Sequence, residues 1–210
     1  MLALLLTLLP ARAERWPDWQ LPAPLQPAGQ ADLIYPSWFA GEWTVQTTTA
    51  TGEPLTYRAR FVMADQPSAQ RSSVVGDRAF NAQAVGQAVL GPALLRVDND
   101  PANPNRQLAR LQSEQLLEST VVARRSETLA DAFWADELAL QVVHGSGGTP
   151  RVSQVETLSR YQLSSDGSID GEQWQASYPS PAEGVRAAAR RSDHWPLRLT
   201  PAPPGSDRAS

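Results

Sequence analysis

The chemistry open to this 210-residue chain is bounded by two histidines, His144 and His194, and by the absence of cysteine. Without Cys there is no disulfide, no thiol nucleophile and no thiolate metal site. A lipid-anchored export signal is excluded as well, since it needs a Cys at its cleavage point. The densest run of oxygen ligands is Asp98-Asn-Asp-Pro-Ala-Asn-Pro-Asn105. Counted from Asp98, a calcium loop of the EF type wants Gly at its sixth position and Glu at its twelfth. Asn103 and Ala109 stand there instead, so the Asp-Pro and Asn-Pro pairs read as turn formers and no metal site is assigned. His144-Gly-Ser-Gly-Gly148 has the look of an esterase oxyanion-hole string, but that chemistry requires a G-x-S-x-G elbow on an α/β sheet, which the chain lacks. Ser192-Asp193-His194 has the residue types of a catalytic triad. Neighbours in a strand point to opposite faces, so adjacency in sequence does not supply triad geometry. No catalytic residue and no cofactor are assigned.

The remaining polar candidates lie on predicted strands. On Val152 to Leu163, Gln154, Glu156, Leu158 and Arg160 share one face, and Val155, Thr157, Ser159 and Tyr161 share the other. If the first face turned inward, Glu156 and Arg160 would need partners in a polar interior site. The favoured reading makes that face solvent and Val155 and Tyr161 core, because charged side chains are rarely buried. On the next strand Trp174 and Tyr178, with Phe133 or Trp134, are candidates to line an apolar pocket, although such aromatics are more often plain core.

The elements that must position these groups are strands. Trp43 to Thr49 is β-branched and aromatic, and Tyr57, Ala59, Phe61 and Met63 alternate with Arg58, Arg60 and Val62 at a period of two. Leu94 to Val97, Gln107 to Leu111, Leu116 to Arg125, Phe133 to His144, Val152 to Leu163, Glu172 to Tyr178 and Trp195 to Leu199 continue the series. Gly145-Ser-Gly-Gly148 and Ser165-Asp-Gly-Ser168 are hairpin connections. The expectation is a mainly β fold, an antiparallel meander closing into a barrel of about 8–10 strands, since closure removes exposed edges. Asp77 to Leu90 is rich in Ala and Gln and does not alternate. It reads as a short helix or an irregular crossover ended by Gly91-Pro92, and a second short helix is open at Ala182 to Arg191.

The ends carry other signals. Leu2 to Leu9 is a short apolar run followed by Ala11-Arg-Ala13, an export signal over residues 1–13 with cleavage before Glu14. The run is too short to span a bilayer. Residues 14–31 form a Pro/Trp-rich arm, with Trp16, Trp19 and several prolines disfavouring regular ladders. Residues 32–200 form the β domain and 201–210 a disordered tail. The net charge is −4, and without a basic stripe nucleic acid is not an expected partner. Every basic side chain is Arg, a bias that a GC-rich genome produces without functional pressure.

Pro36-Ser-Trp-Phe-Ala-Gly-Glu-Trp43 resembles the approach to the first strand of lipocalin-like (calycin) barrels, where a short 3₁₀ turn leads into Gly-x-Trp. Here the matching residues are Gly41 and Trp43. The resemblance implies that Trp43 plugs the closed end and that an Arg from the last strand stacks on it, Arg198 first and Arg160 second. Tyr35 to Trp43, Val75-Gly-Asp-Arg-Ala-Phe-Asn81, Asp100 to Arg106 and Gln154 to Tyr161 together resemble an uncharacterised family of cyanobacteria and plastids, a domain of unknown function. That resemblance implies an exported site in a periplasm or a thylakoid lumen, and it supplies no reaction.

The function expected is therefore a non-catalytic binding module for a small apolar or amphipathic ligand of lipid, pigment or quinone-like type, with Trp43, Phe61, Glu156, Arg160 and Trp174 as its candidate contacts. An eight-stranded barrel is wide enough for one such ligand. Two alternatives stay open: an assembly factor in transient contact with thylakoid membrane complexes through its Trp/Pro arm, and an enzyme using Glu156, Arg160 and a His.

Overall fold

The computed structural model describes residues 25–65, 72–178 and 189–203. The expected export segment 1–13, residues 14–24 of the arm, residues 182–188 of the second helix candidate and residues 204–210 of the tail lie outside the described residues. The described elements are β1 (Gln26–Pro27), β2 (Ile34–Tyr35), a 3₁₀ turn (Ser37–Phe39), β3 (Gly41–Thr48), β4 (Pro54–Ala64), β5 (Ser73–Gly76), α1 (Arg78–Leu90), a second 3₁₀ turn (Gly91–Ala93), β6 (Leu94–Asp100), β7 (Asn103–Leu111), β8 (Gln115–Thr128), β9 (Ala132–His144), β10 (Arg151–Leu163), β11 (Ile169–Tyr178) and β12 (Arg191–Pro201). Among the described residues no helix is long and apolar enough to cross a membrane.

The fold is mainly antiparallel β with one short helix, as the period-two pattern requires. Eleven strands follow one another in the order β2-β5-β4-β3-β12-β11-β10-β9-β8-β7-β6, and β1 pairs with β8 beside this path. The sheet curls into a half-barrel. Its terminal strands β2 and β6 do not pair with each other. The space between them is spanned in two ways. α1 packs against both β4 and β6, and the segment from β1 to β2 is paired to β8 at its start and to β5 at its end.

α1 begins where Asp77 caps it, accepting the Phe80 N–H at 3.2 Å. It ends at Gly91, whose φ of +56° favours glycine. Asn81, one turn in, accepts the Arg60 N–H at 2.7 Å and donates to the Arg60 carbonyl at 3.1 Å. The amide thus stands in for a strand neighbour where β5 stops. Ala82 of α1 packs with Leu94, Val97, Ala109 and Leu117 of β6, β7 and β8.

The main core lies on the inner face around Phe39, which is fully buried. Its ring meets those of Tyr35, Trp38, Phe61, Phe133 and Tyr161 at centroid distances of 4.5–5.9 Å, so β2, the first 3₁₀ turn, β4, β9 and β10 converge on one side chain. Trp43 is buried beside it and donates from Nε1 to the Phe39 carbonyl at 2.7 Å. Gly41, with φ +117°, makes the sharp turn that lets this happen. Within the sheet, Tyr161 lies over Gly171, its register partner on the neighbouring strand β11. A Cβ at Gly171 would sit 2.8 Å from the Tyr161 ring.

Arg198 does not stack on Trp43. β12 turns Leu197 and Leu199 inward, so alternation sends Arg198 outward, where it pairs with Asp170 at 2.6 Å and Asp166 at 2.9 Å. Arg160 is also outward, 3.8 Å from Glu172.

Replacing Phe39 with Ala is expected to cost about 3–5 kcal/mol, because a buried ring shared by five elements leaves a cavity. Trp43→Phe keeps most of the packing and loses one hydrogen bond, about 1 kcal/mol. Urea unfolding of the two variants checks both the order and the gap.

Candidate functional site

The inner face carries charge as well as rings. On β9, Phe133, Ala135 and Glu137 share a face by alternation, and the first two belong to the aromatic core. Glu137 is therefore a carboxylate on a core-facing row, and it has two cationic partners. The Arg78 guanidinium, from the first turn of α1, donates to it at 2.8 Å, and Arg124 of β8 lies 3.3 Å away. Arg78 also donates through Nε to Asp32 at 2.8 Å, and Arg124 stands 4.0 Å from the same carboxylate. Two guanidinium and two carboxylate groups, mostly buried, thus form one neutral cluster. Burial works against the Arg78 charge, but Glu137 and Asp32 outweigh it and hold its pKa above the ordinary value. Burial likewise opposes ionisation of Glu137, and Arg78 with Arg124 reverse this, lowering its pKa. The Tyr35 hydroxyl beside the cluster is pushed up by burial and by Glu137.

The cluster also holds main chain. Arg124 donates to the Ala31 carbonyl at 2.7 Å and to the Asn105 side chain. Asn105, 1% exposed, donates in turn to the carbonyls of Gly29 and Ala31, both at 3.1 Å. The segment between β1 and β2 is thereby tied to β7, β8, β9 and α1.

Arg124 reaches the interior because β8 carries a bulge. Pairing with β9 shifts between Val121 and Ala123, and the extra residue reverses the alternation. After the shift Arg124 stands opposite Glu137 and Arg125 opposite Asp136, so adjacent arginines meet adjacent acids on the two faces of the sheet. The Val122 carbonyl freed at the bulge accepts the Ala28 N–H at 3.1 Å. The bulge therefore docks the closing segment and turns its clamp inward together.

Beside the cluster lies an open pocket of about 440 Å³ between the two ends of the sheet. Val62, Val75 and Gly76 line it from β4 and β5, Asp32, Asp77 and Arg78 from the closing segment and the start of α1, and Asn99, Asp100, Pro101 and Pro104 from the β6–β7 turn. Its charged groups are engaged. Arg78 is held by Asp32 and Glu137, Asp77 by Arg60 at 2.7 Å, and Asp100 by the Ala102 N–H at 2.8 Å and by Arg106. Those last two bonds hold the Asp100 carboxyl below the usual carboxylate range. They also make Asp98 to Asn105 a β-hairpin turn, as its Asp-Pro and Asn-Pro pairs indicate.

A family described as a domain of unknown function, DUF6816, matches residues 47–193, more than half of the chain. The chain belongs to the DUF6816 family. No curated protein and no solved structure matches it. Within the DUF6816 stretch, the Gly76-Asp-Arg-Ala-Phe-Asn81 string has a legible architecture: Asp77 caps α1, Arg78 enters the ion cluster and Asn81 pairs with β4.

The five residues expected to contact a ligand do not form one site. Trp43 and Phe61 lie in the inner aromatic core. Glu156, Arg160 and Trp174 lie on the outer face, since Val155 and Tyr161, on the opposite face of β10, turn inward. Phe133 is likewise separated from Trp174, whereas Trp134 shares the outer face with it. Trp174 stacks on His194 at 4.5 Å. Glu156 is on the face expected to meet solvent, yet it is 8% exposed and accepts a hydrogen bond from the Tyr178 hydroxyl at 2.6 Å. His144 ends β9 beside Glu118 at 3.1 Å, six positions from Leu138, the register partner of Glu156. Asp193 pairs with Arg191 at 2.6 Å and does not join Ser192 and His194 in a triad. Asp32, Arg78, Arg124 and Glu137 were not among the expected residues. Glu137 had a sequence signal, a carboxylate in phase with Phe133 and Ala135.

Arg78→Met removes the guanidinium that lies 2.6 Å from Asp32 and 2.8 Å from Glu137, and is expected to cost about 3–5 kcal/mol. Arg198→Met, which removes an exposed pair, should stay close to wild type. Calorimetric melting of the two variants measures the contrast.

Proposed function

We propose that the chain is an exported binding module for a small amphipathic ligand, held in the pocket between the ends of the half-barrel. The observation that carries this reading is the mixed lining of that pocket, where Val62, Val75, Pro101 and Pro104 stand against Asp32, Asp77, Asn99 and Asp100. Concave sites of this size with a few convergent polar groups are the usual form of small-molecule sites. The inner face offers less, because the aromatic rings around Phe39, with Trp43 buried beside them, fill it. Arg78, the arginine in the lining, already spends donors on Asp32 and Glu137, so the lining is rich in acceptors. The fitting ligand has an apolar body and a polar end that donates hydrogen bonds, such as a hydroxyl. A lipid, a pigment or a quinol-like molecule meets that description. Export, to a periplasm or a thylakoid lumen of a photosynthetic cell, is supported by Leu2 to Leu9 with Ala11-Arg-Ala13 and by the resemblance to cyanobacterial and plastid proteins.

Native mass spectrometry of the chain purified from its own source tests the reading. A bound small organic molecule is expected, and Val62→Trp, which fills the pocket from a partly exposed position, should release it while melting no lower than ligand-free wild type. A chain that carries nothing and binds no member of a panel of lipids, pigments and quinols would overturn it.

A further inference from the structure

The outer face holds a second buried group of titratable side chains, separate from the pocket. Register places Arg125, Asp136, Leu158, Trp174 and His194 side by side across β8 to β12. One row along lies Glu156, opposite Leu138 and Ala176. Asp136 is 1% exposed, a degree of burial that carboxylates reach only when neutralised or paired. Arg125 donates from Nε to Asp136 Oδ2 at 3.0 Å. Among the described residues Asp136 Oδ1 is buried with no donor, and Glu156 is its diagonal neighbour on the same face, since Asp136 pairs with Leu158 and Glu156 with Leu138. A buried carboxylate oxygen without a donor, beside a second buried carboxyl, is relieved when one of the two groups is protonated. Tyr178 completes the group from β11 through its bond to Glu156.

We propose that Asp136 and Glu156 form a proton-binding site in which one shared proton holds the packing of the outer face together. Among the described residues, β8 presents Arg125 to the pair, β9 Asp136, β10 Glu156 and β11 Tyr178. On β12, His194 is engaged instead by the Trp174 ring and lies 3.6 Å from Glu172, which also pairs with Arg160. With the proton present, one carboxylate faces one guanidinium and the group is neutral. Without it, two adjacent buried carboxylates face Arg125, the guanidinium that the described residues place on the pair, and like charges in a poorly solvated site repel.

The sign of the coupling follows. Burial, then the Glu156 charge, pushes the Asp136 carboxyl up from 3.8 to about 7. The folded chain thus keeps a proton that an unfolded aspartate has already lost. The stabilisation is complete below the unfolded value and is lost as pH rises through the folded one. The site makes the fold more stable in mildly acidic than in mildly alkaline medium.

Carbon-13 NMR titration of the carboxyl carbons in the full chain tests this directly. The Asp136 resonance is expected to titrate about three pH units above an exposed aspartate. Asp136→Asn and Glu156→Gln each remove the shared proton's titration, so between pH 6 and 8 the melting temperature of each should fall by no more than about half as much as that of wild type. Should one variant fail to fold, the other carries the comparison. An Asp136 resonance in the ordinary carboxylate range, or the same drop in wild type and variants, overturns the proposal.

Discussion

The half-barrel depends on a cluster of four buried charges. A sheet whose end strands do not pair leaves its interior open on one side, and an aromatic core cannot stay dry beside such an opening. Arg78 and Arg124, set against Asp32 and Glu137, fasten two covers over the gap. Arg78 brings the start of α1 to the wall of the barrel. Arg124, with Asn105, grips the main chain between β1 and β2. Buried ion pairs contribute little when complete and cost much when broken, so the cluster enforces one arrangement more than it adds stability. The same logic explains why its members come from the closing segment, α1, β8 and β9, elements far apart in the chain.

A single inserted residue in β8 sets this up. The bulge near Val122 reverses the alternation, delivers Arg124 to Glu137 inside and Arg125 to Asp136 outside, and offers a carbonyl to the closing segment. The inner clamp and the outer proton site are thus two consequences of one irregularity. They serve different ends. Among the described residues the inner pairs are charge-balanced, whereas the outer group sets two carboxylates against the Arg125 guanidinium and takes up a proton to compensate.

Much of the architecture was legible in the residues. β3, β4 and β6 to β12 follow from alternation and β-branched content, and α1 follows from the Ala/Gln run closed by Gly91-Pro92. The turn into Gly41 and Trp43 was visible as a pattern, and Trp43 is buried as its type indicates. What was not legible depends on pairing. β1 and β2 are two-residue strands whose existence comes from partners remote in sequence. Arg124 could not be placed inside, because period-two reasoning fails across a bulge that no residue type announces. Arg198 was assigned to Trp43 by resemblance, and alternation with Leu197 and Leu199 sends it the other way. Glu156 was correctly put on the face opposite Val155 and Tyr161, but that face is not simply solvent. The pocket was invisible for a related reason: its lining comes from both ends of the sheet, which only the curl brings together.

Native-state hydrogen exchange on wild type and Arg124→Met tests the central claim most directly, that the ion cluster holds the closing segment over the half-barrel. The amides of Ala28, Leu33, Ile34 and Tyr35 are expected to lose protection by about a hundredfold or more in the variant, while those of β10 and β11 keep most of theirs. Equal protection of the 28–35 amides in the two proteins would contradict it.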